Sequence, residues 1–330
     1  IRAIIQQDVG NRGLARDPQR NLITETVADF GSACAELAQA QAPTIGILTG
    51  FYIPHGEPPA AETDGPLGAV YLARALVPLG MRVVLLADNF CRKPLEKGIW
   101  ASGLGKSVPI ITLPAPGDDL RPWEYREFIS DRTGVLTHLI ALERVGPSHT
   151  LDSLKAQAGT HEETVGCFQR EVAPEHFDRC HTMRGKDISA NMSPAHHLFE
   201  EGAADKKPVT IGIGDGGNEI GMGKLPWEVV RRNIPGGATV ACRIATDRLI
   251  VCGVSNWGAY GLAAGVRHLR KAEFDPNLFD LDQEQELLRL MVDEGPLVDG
   301  FSGQSTVTVD GLSFEKYAEA LKKIRAVVES

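Results

Sequence analysis

The sequence predicts an α/β protein built on a doubly wound, largely parallel sheet of Rossmann-like type, with a partly helical insertion around residues 144–207. Three observations carry this. The apolar runs TIGILTG (44–50), RVVLLAD (82–88), VPIITLP (108–114), THLIALE (137–143) and VTIGIGD (209–215) are continuous rather than alternating, which marks strands covered on both faces. Segments with helical spacing separate them, the alternation that gives helices on both sides of a parallel sheet. No internal repeat or low-complexity linker interrupts the series, so residues 1–330 read as one α/β domain, with N-terminal helices in 1–42 and a core from 43 to 330.

Taken in order, residues 20–41 read as helix, and Pro43 and Gly50 bound the first strand. The loop FYIPHGEPPAAETDGP (51–66) is long for a strand-to-helix connection and is stiffened by Pro54, Pro58 and Pro59, which suits a pocket wall. A helix follows from Gly65-Pro66, with proline at its first position. Further helices are expected at about 90–102 and 121–132. Beyond the insertion and the strand at 209, ATVACRI (238–244) and RLIVCGV (248–254) read as strands, and the short connection between them suits an antiparallel pair. Helices at about 256–272, 282–294 and 313–327 close the chain.

At 330 residues with 43% apolar and 23% charged side chains, the chain can bury a substantial core. A formal charge of −9 without a basic run excludes the electrostatic footprint of a nucleic-acid or anionic-membrane binder, leaving small polar or cationic partners. No stretch is long and apolar enough to span a bilayer, and the first residues lack a signal-peptide core. Six cysteines form no Cys-x-x-Cys pair; Cys167, His176, Cys180 and His181 match no standard zinc spacing and read as structural.

The stretch PVTIGIGDGGNEIGMG (208–223) admits two readings. Gly212, Gly214 and Gly217 match the dinucleotide pattern G-x-G-x-x-G. Against it, Asp215 inside the turn and Glu219 just beyond would repel a pyrophosphate, and the acidic ribose partner about 20 residues on is absent. No nucleotide is expected. The residues ending the strands point elsewhere: Glu62 and Asp64 follow the first, Asp88 ends the second, Glu143 the fourth and Asp215 the fifth, with Asn218, Glu219 and Asn256 beyond. Each alone has a structural reading as a helix cap or ion-pair partner. Together they predict an acidic crevice for a divalent cation, an ammonium group, or both. Glu62, Asp64 and Asp88 are the expected metal or ammonium contacts, and oxygen ligands fit Mg²⁺, Mn²⁺ or Ca²⁺ alike. The backbone amides of Gly216 and Gly217 are expected to hold a carboxylate or oxyanion, Arg144 and Arg184 to clamp a carboxylate, and Glu143 and Asn256 to contact substrate. Asp215, Glu219 and Asn218 are the catalytic candidates.

The motifs ETDGPLGA, LIALERVGPS, MRGKDIS, GIGDGGNEIGMG and CGVSNWGAYGL, in this order over roughly 44–312, resemble the C-terminal domain of mitochondrial D-glutamate cyclases and their bacterial relatives. The resemblance implies a lyase of the hydro-lyase type that closes D-glutamate to 5-oxo-D-proline with loss of water. It also implies a mitochondrial matrix location, although no targeting segment is present in this chain. A separate N-terminal domain outside the chain, in possible contact with the crevice, is implied too, in keeping with a start at Ile1. Asp215 or Glu219 would then serve as base. The alternative is a non-catalytic amino-acid- or nucleotide-binding regulatory module of a larger enzyme.

Overall fold

The computed structural model describes residues 1–118, 120–200 and 207–329. Six strands form the central sheet: β1 (Thr44–Thr49), β2 (Arg82–Ala87), β3 (Ile110–Thr112), β4 (His138–Leu142), β5 (Val209–Gly214) and β6 (Arg248–Val251). Their spatial order is β3-β2-β1-β4-β5-β6, and every neighbouring pair is parallel. The doubly wound parallel sheet expected from the buried-strand pattern is therefore present, and all carboxyl ends lie on one side. The strand order reverses between β1 and β4. In open parallel sheets, the crevice outside the carboxyl ends at such a reversal is where ligands bind.

The principal helices are α1 (Asp29–Gln39), α2 (Pro66–Leu76), α3 (Asn89–Ala101), α4 (Pro122–Thr133), α5 (Glu162–Glu171), α6 (Trp227–Asn233), α7 (Ser255–Leu269), α8 (Leu281–Asp293) and α9 (Glu319–Glu329). The two-residue period of the strands divides their side chains between two cores. Ile45, Ile47, Val83, Leu85, Ile140, Leu142 and Ile211 pack on the face covered by α1, α2, α3, α7, α8 and α9. Leu48, Val84, Leu86, Leu139, Ala141 and Leu249 pack under α4, α5 and α6. The apolar runs are continuous because both faces are covered.

The expected antiparallel pair of 238–244 with 248–254 is not formed. Gly237–Val240 is a short helical turn, and β6 pairs parallel with β5. The backbone of the supposed strand is used elsewhere: Cys242 N donates to Gly217 O and Arg243 N to Pro147 O, joining the segment to the loop after β5 and to the insertion. The insertion is partly helical as expected, with Leu151–Ala156, α5 and three 3₁₀ turns; its residues 201–206 lie outside the described ones.

Two small ribbons shape the crevice. Tyr52–Ile53 pairs with Ala60–Ala61 inside the long loop after β1. Thr308–Val309 pairs with Leu312–Ser313 across Asp310-Gly311, whose φ values of 53° and 74° are those of a two-residue hairpin turn. Among the described residues no helix is long and apolar enough to cross a membrane.

Candidate active site at the carboxyl ends of the strands

Asp64 and Asn256 build the floor of the crevice by capping each other's helices. Asp64 precedes α2, yet its carboxylate accepts hydrogen bonds from Ser255 N and Asn256 N, both at 2.8 Å, at the start of α7. Asn256 lies in α7, yet its Oδ1 accepts from Gly65 N at 2.9 Å and Gly68 N at 2.8 Å at the start of α2. Each side chain satisfies amides that have no partner within their own helix. Both helices therefore begin at the same point and direct their positive ends at it. The Asn256 amide nitrogen donates to Thr63 O at 3.2 Å, so this side chain is fully occupied as a structural cap rather than presented to a substrate.

The glycine-rich loop answers its own question. The carboxylate of Glu219 accepts from Asp215 N at 2.9 Å, Gly216 N at 2.6 Å and Gly217 N at 2.7 Å. The nest of amides that a phosphate or oxyanion would need is thus filled by the loop's own side chain, and the expected use of Gly216 and Gly217 for substrate is corrected to this internal bond. The next helix, α6, begins only at Trp227, so no helix N-terminus stands at the loop. The glycine spacing also has an internal cause. A Cβ on Gly212 would sit 2.7 Å from the Cα of Gly221, and one on Gly214 would sit 2.9 Å from the Glu219 carboxyl carbon. Gly217 adopts φ 102°, a conformation open to glycine.

Asp215 is fully buried. Its Oδ1 pairs with Arg12 Nη1, and its Oδ2 is buried with no partner. Arg12 also reaches Asp310, Nη2 to Oδ2 2.8 Å. Ligand oxygens of Asp64, Asp215 and Asp310 lie within 4.8 Å of one another, and so do those of Glu143, Asp215 and Glu219. Glu143 follows β4 with φ 44°, a left-handed conformation that costs a non-glycine residue about 1–2 kcal/mol, and it accepts a hydrogen bond from Ser255 Oγ. Glu62 is buried nearby. Its carboxylate lies so close to Gly300 that a Cβ there would stand 2.0 Å from Oε2.

Burial is the first cause that lifts Glu62, Glu143 and Asp215 well above the ordinary carboxylate range, with neighbouring carboxylates adding to it and Arg12 opposing it. Burial and then Asp310 push Asp64 up to about 8 against the opposing amides of Asn256 and Ser255. Asp64 therefore carries a proton at neutral pH that an incoming cation would expel. Cation affinity should rise with pH from 6 to 8, by up to about tenfold per unit for each proton displaced. Calorimetric titration of Mn²⁺ across that range measures the slope, and a flat profile would contradict it.

Asp88, Arg144, Arg184 and Asn218 have other partners than expected. Asp88 does not join Glu62 and Asp64. It is ion-paired with Arg144 and accepts from Ser193 N at 2.7 Å. Arg144 in turn is 1% exposed and donates also to Gly50 O at 3.1 Å and Ser193 O at 2.9 Å, so it is a buried tie between the β1, β2 and β4 ends rather than a clamp. Arg184 is exposed and donates to Phe301 O at 2.7 Å, with its guanidinium over the Phe301 ring. Asn218 donates from Nδ2 to His181 O at 2.8 Å, and its Oδ1 is buried without a partner.

Arg12 and Asp310 complete the cluster and went unnoticed in sequence. Asp310-Gly311 between two short β-prone runs is a hairpin signal, although nothing local to it says where the hairpin points. Arg12 stands in a glycine-flanked segment with no periodicity.

Comparison with known proteins agrees with the motif resemblance. The family model for the C-terminal region of D-glutamate cyclase-like proteins matches residues 1–159 and 171–325. The human protein named D-glutamate cyclase, mitochondrial, is 29% identical over an alignment covering 98% of this chain and 50% of its own length. The chain thus spans about half the length of this relative. With the match running across nearly every element of the sheet and both sides of the acidic crevice, the chain belongs to the D-glutamate cyclase-like, C-terminal family.

Proposed function

We propose that the crevice catalyses the intramolecular dehydration of D-glutamate to 5-oxo-D-proline, hydro-lyase chemistry on a small amino acid. The observation that carries the reading is Asp215, a fully buried carboxylate whose Oδ2 has no hydrogen-bond partner, set among carboxyl groups that burial and mutual repulsion drive toward the protonated form. Closing the ring removes two protons from the substrate nitrogen and delivers two to the departing oxygen. Asp215 Oδ2 is the acceptor for the ammonium proton, and the amine so formed attacks the γ-carboxyl carbon. Glu143, driven toward its protonated form by burial and its acidic neighbours, gives its proton to the leaving oxygen, with Ser255 fixing its orientation. The proton taken up by Asp215 passes to the same oxygen, which departs as water, and Glu143 takes the second proton from the ring nitrogen, so both carboxyl groups return to their starting states. Glu219 serves by holding the turn that presents Asp215.

The donor set also fits a hard divalent cation such as Mg²⁺ or Mn²⁺: oxygen ligands only, close together, one of them orphaned. Asp64, Asp215 and Asp310, or Glu143, Asp215 and Glu219, would hold it. Such an ion would withdraw charge from the γ-carboxyl group. A mitochondrial location comes to this chain only by analogy with the human relative's name.

Because the chain spans half of that relative, the second reading is an amino-acid-binding module whose other half performs the chemistry. Incubating this chain and the full-length protein separately with D-glutamate, with Mn²⁺ and with EDTA, and following 5-oxoproline distinguishes them. Turnover by the chain alone supports catalysis here. Binding of D-glutamate without turnover by the chain, and turnover by the full-length protein, supports the module. No turnover and no binding in either removes the glutamate reading.

A further inference from the structure

We infer that Arg12 is the carboxylate anchor of this site, the guanidinium that receives the α-carboxylate of an amino-acid ligand while it bridges Asp215 and Asp310. The inference rests on the glutamate reading and names a residue that sequence reasoning did not reach. An amino acid brings its own anionic groups into a crevice already lined by Glu62, Asp64, Glu143, Asp215, Glu219 and Asp310, so a carboxylate can enter only beside a cation. Among the described residues, the two other arginines considered for the role are engaged elsewhere: Arg144 is buried against Asp88, Gly50 O and Ser193 O, and Arg184 is exposed against Phe301. Arg12 alone of the three touches the acidic cluster.

Its geometry suits the task. A guanidinium carries five N–H donors, and the contacts to Asp215 and Asp310 use only part of that capacity. Its side chain remains 22% exposed, so it is reachable from solvent. The loop that carries it is held rigidly. Asp8 accepts from Arg12 N at 2.8 Å, Gly13 N at 2.8 Å and Leu14 N at 3.1 Å, and Gly13, at φ 95°, passes so near Asn233 O that a Cβ would stand 2.2 Å from it. A preorganised donor of this kind loses little entropy on binding.

The charge pattern is also specific. The head of an amino acid is a carboxylate and an ammonium joined through one carbon. Arg12 and Asp215 are an adjacent cation and anion in direct contact, and the unpartnered Oδ2 of Asp215 is the open acceptor beside the guanidinium. A zwitterion fits that pair with each charge on its opposite, leaving the side-chain carboxyl free to lie toward Glu143. A simple amine or a simple carboxylate would satisfy half of it.

The test is calorimetric titration of D-glutamate and of its α-amide, in which a neutral amide replaces the α-carboxylate, into wild-type protein, Arg12→Gln and Arg12→Lys. Melting temperatures establish that each variant is folded. Losing a hydrogen-bonded charge contact predicts about 100-fold weaker D-glutamate binding by Arg12→Gln, with α-amide binding within about threefold of wild type. Arg12→Lys should recover at least about tenfold of that loss, because the charge returns without the fork. Equal weakening of both ligands by Arg12→Gln in a folded protein would reduce Arg12 to a structural role and overturn the inference, leaving the glutamate reading intact. Tighter D-glutamate binding by Arg12→Gln would overturn it as well, making the guanidinium an obstacle. Wild-type protein that binds neither ligand removes the glutamate reading and this inference with it.

Discussion

Asp215→Asn should lower kcat/KM for D-glutamate cyclisation by about a thousandfold, within the 10²–10⁴ range expected when a positioned base is removed, while the protein stays folded. Asparagine has nearly the same shape and its oxygen can still accept from Arg12, so the turn held by Glu219 has no reason to rearrange. What disappears is a fully buried carboxylate oxygen at the cluster's centre that has no hydrogen-bond partner in the fold and is therefore available to a substrate proton. Stability should change little, because removing a buried charge relieves desolvation as it weakens the pairing with Arg12, and Arg12 keeps Asp310. Both carboxylate triads of the crevice contain Asp215, so Mn²⁺ affinity there should fall as well. The measurement is 5-oxoproline formation beside a thermal melt. Activity within tenfold of wild type in a folded variant would exclude Asp215 as the base.

Asp88→Ala should destabilise the protein by about 3–5 kcal/mol, the cost typical of breaking a buried ion pair from one side. Arg144 would be left 1% exposed with two neutral carbonyl acceptors and no anion. Ser193 N would lose its acceptor too. For a chain of this size that corresponds to a fall of roughly 4–7 °C in Tm. Mn²⁺ affinity in the folded fraction should be unchanged, since Asp88 belongs to neither carboxylate triad. The double change Asp88→Ala with Arg144→Met should regain part of the loss by removing the stranded charge. A shift under 1 kcal/mol, or Mn²⁺ binding lost from a stable Asp88→Ala protein, would return Asp88 to the list of cation ligands.

The sheet was legible because continuous apolar runs report burial on both faces, a property of each strand by itself. Strand ends were legible for the same reason, and they located Asp64, Glu143 and Asp215. The roles of the polar residues were not, because a carboxylate's partner is chosen in three dimensions. Asp88 and Glu143 each end a strand in the same rhythm, yet one faces Arg144 and the other Ser255. Asp64 looked like a cap for its own helix and proved to cap another. In the GIGDGGNEIG loop, Glu219 folding back onto Asp215, Gly216 and Gly217 is a local bond that spacing alone does not distinguish from a substrate-facing acid. The strand expected at 238–244 failed because apolar alternation does not say whether a backbone pairs with a sheet or with loops.

The exchange of caps between Asp64 and Asn256 joins positions 192 residues apart, and this governs the order in which the protein can be completed as it leaves the ribosome. The start of α2 emerges early, but the side chain that quiets its amides arrives only after the five further strands of the sheet and the whole insertion. Until then Gly65 and Gly68 lack that acceptor, and the Asp64 carboxylate lacks the two amides that justify burying it. The nascent chain can assemble β1, β2 and β4 as a provisional layer, but the ligand crevice between them is not finished until α7 is delivered. A ribosome stalled before residue 255 therefore carries strands without the paired caps, and completion of the candidate crevice coincides with the arrival of α7 rather than with the appearance of the first strands.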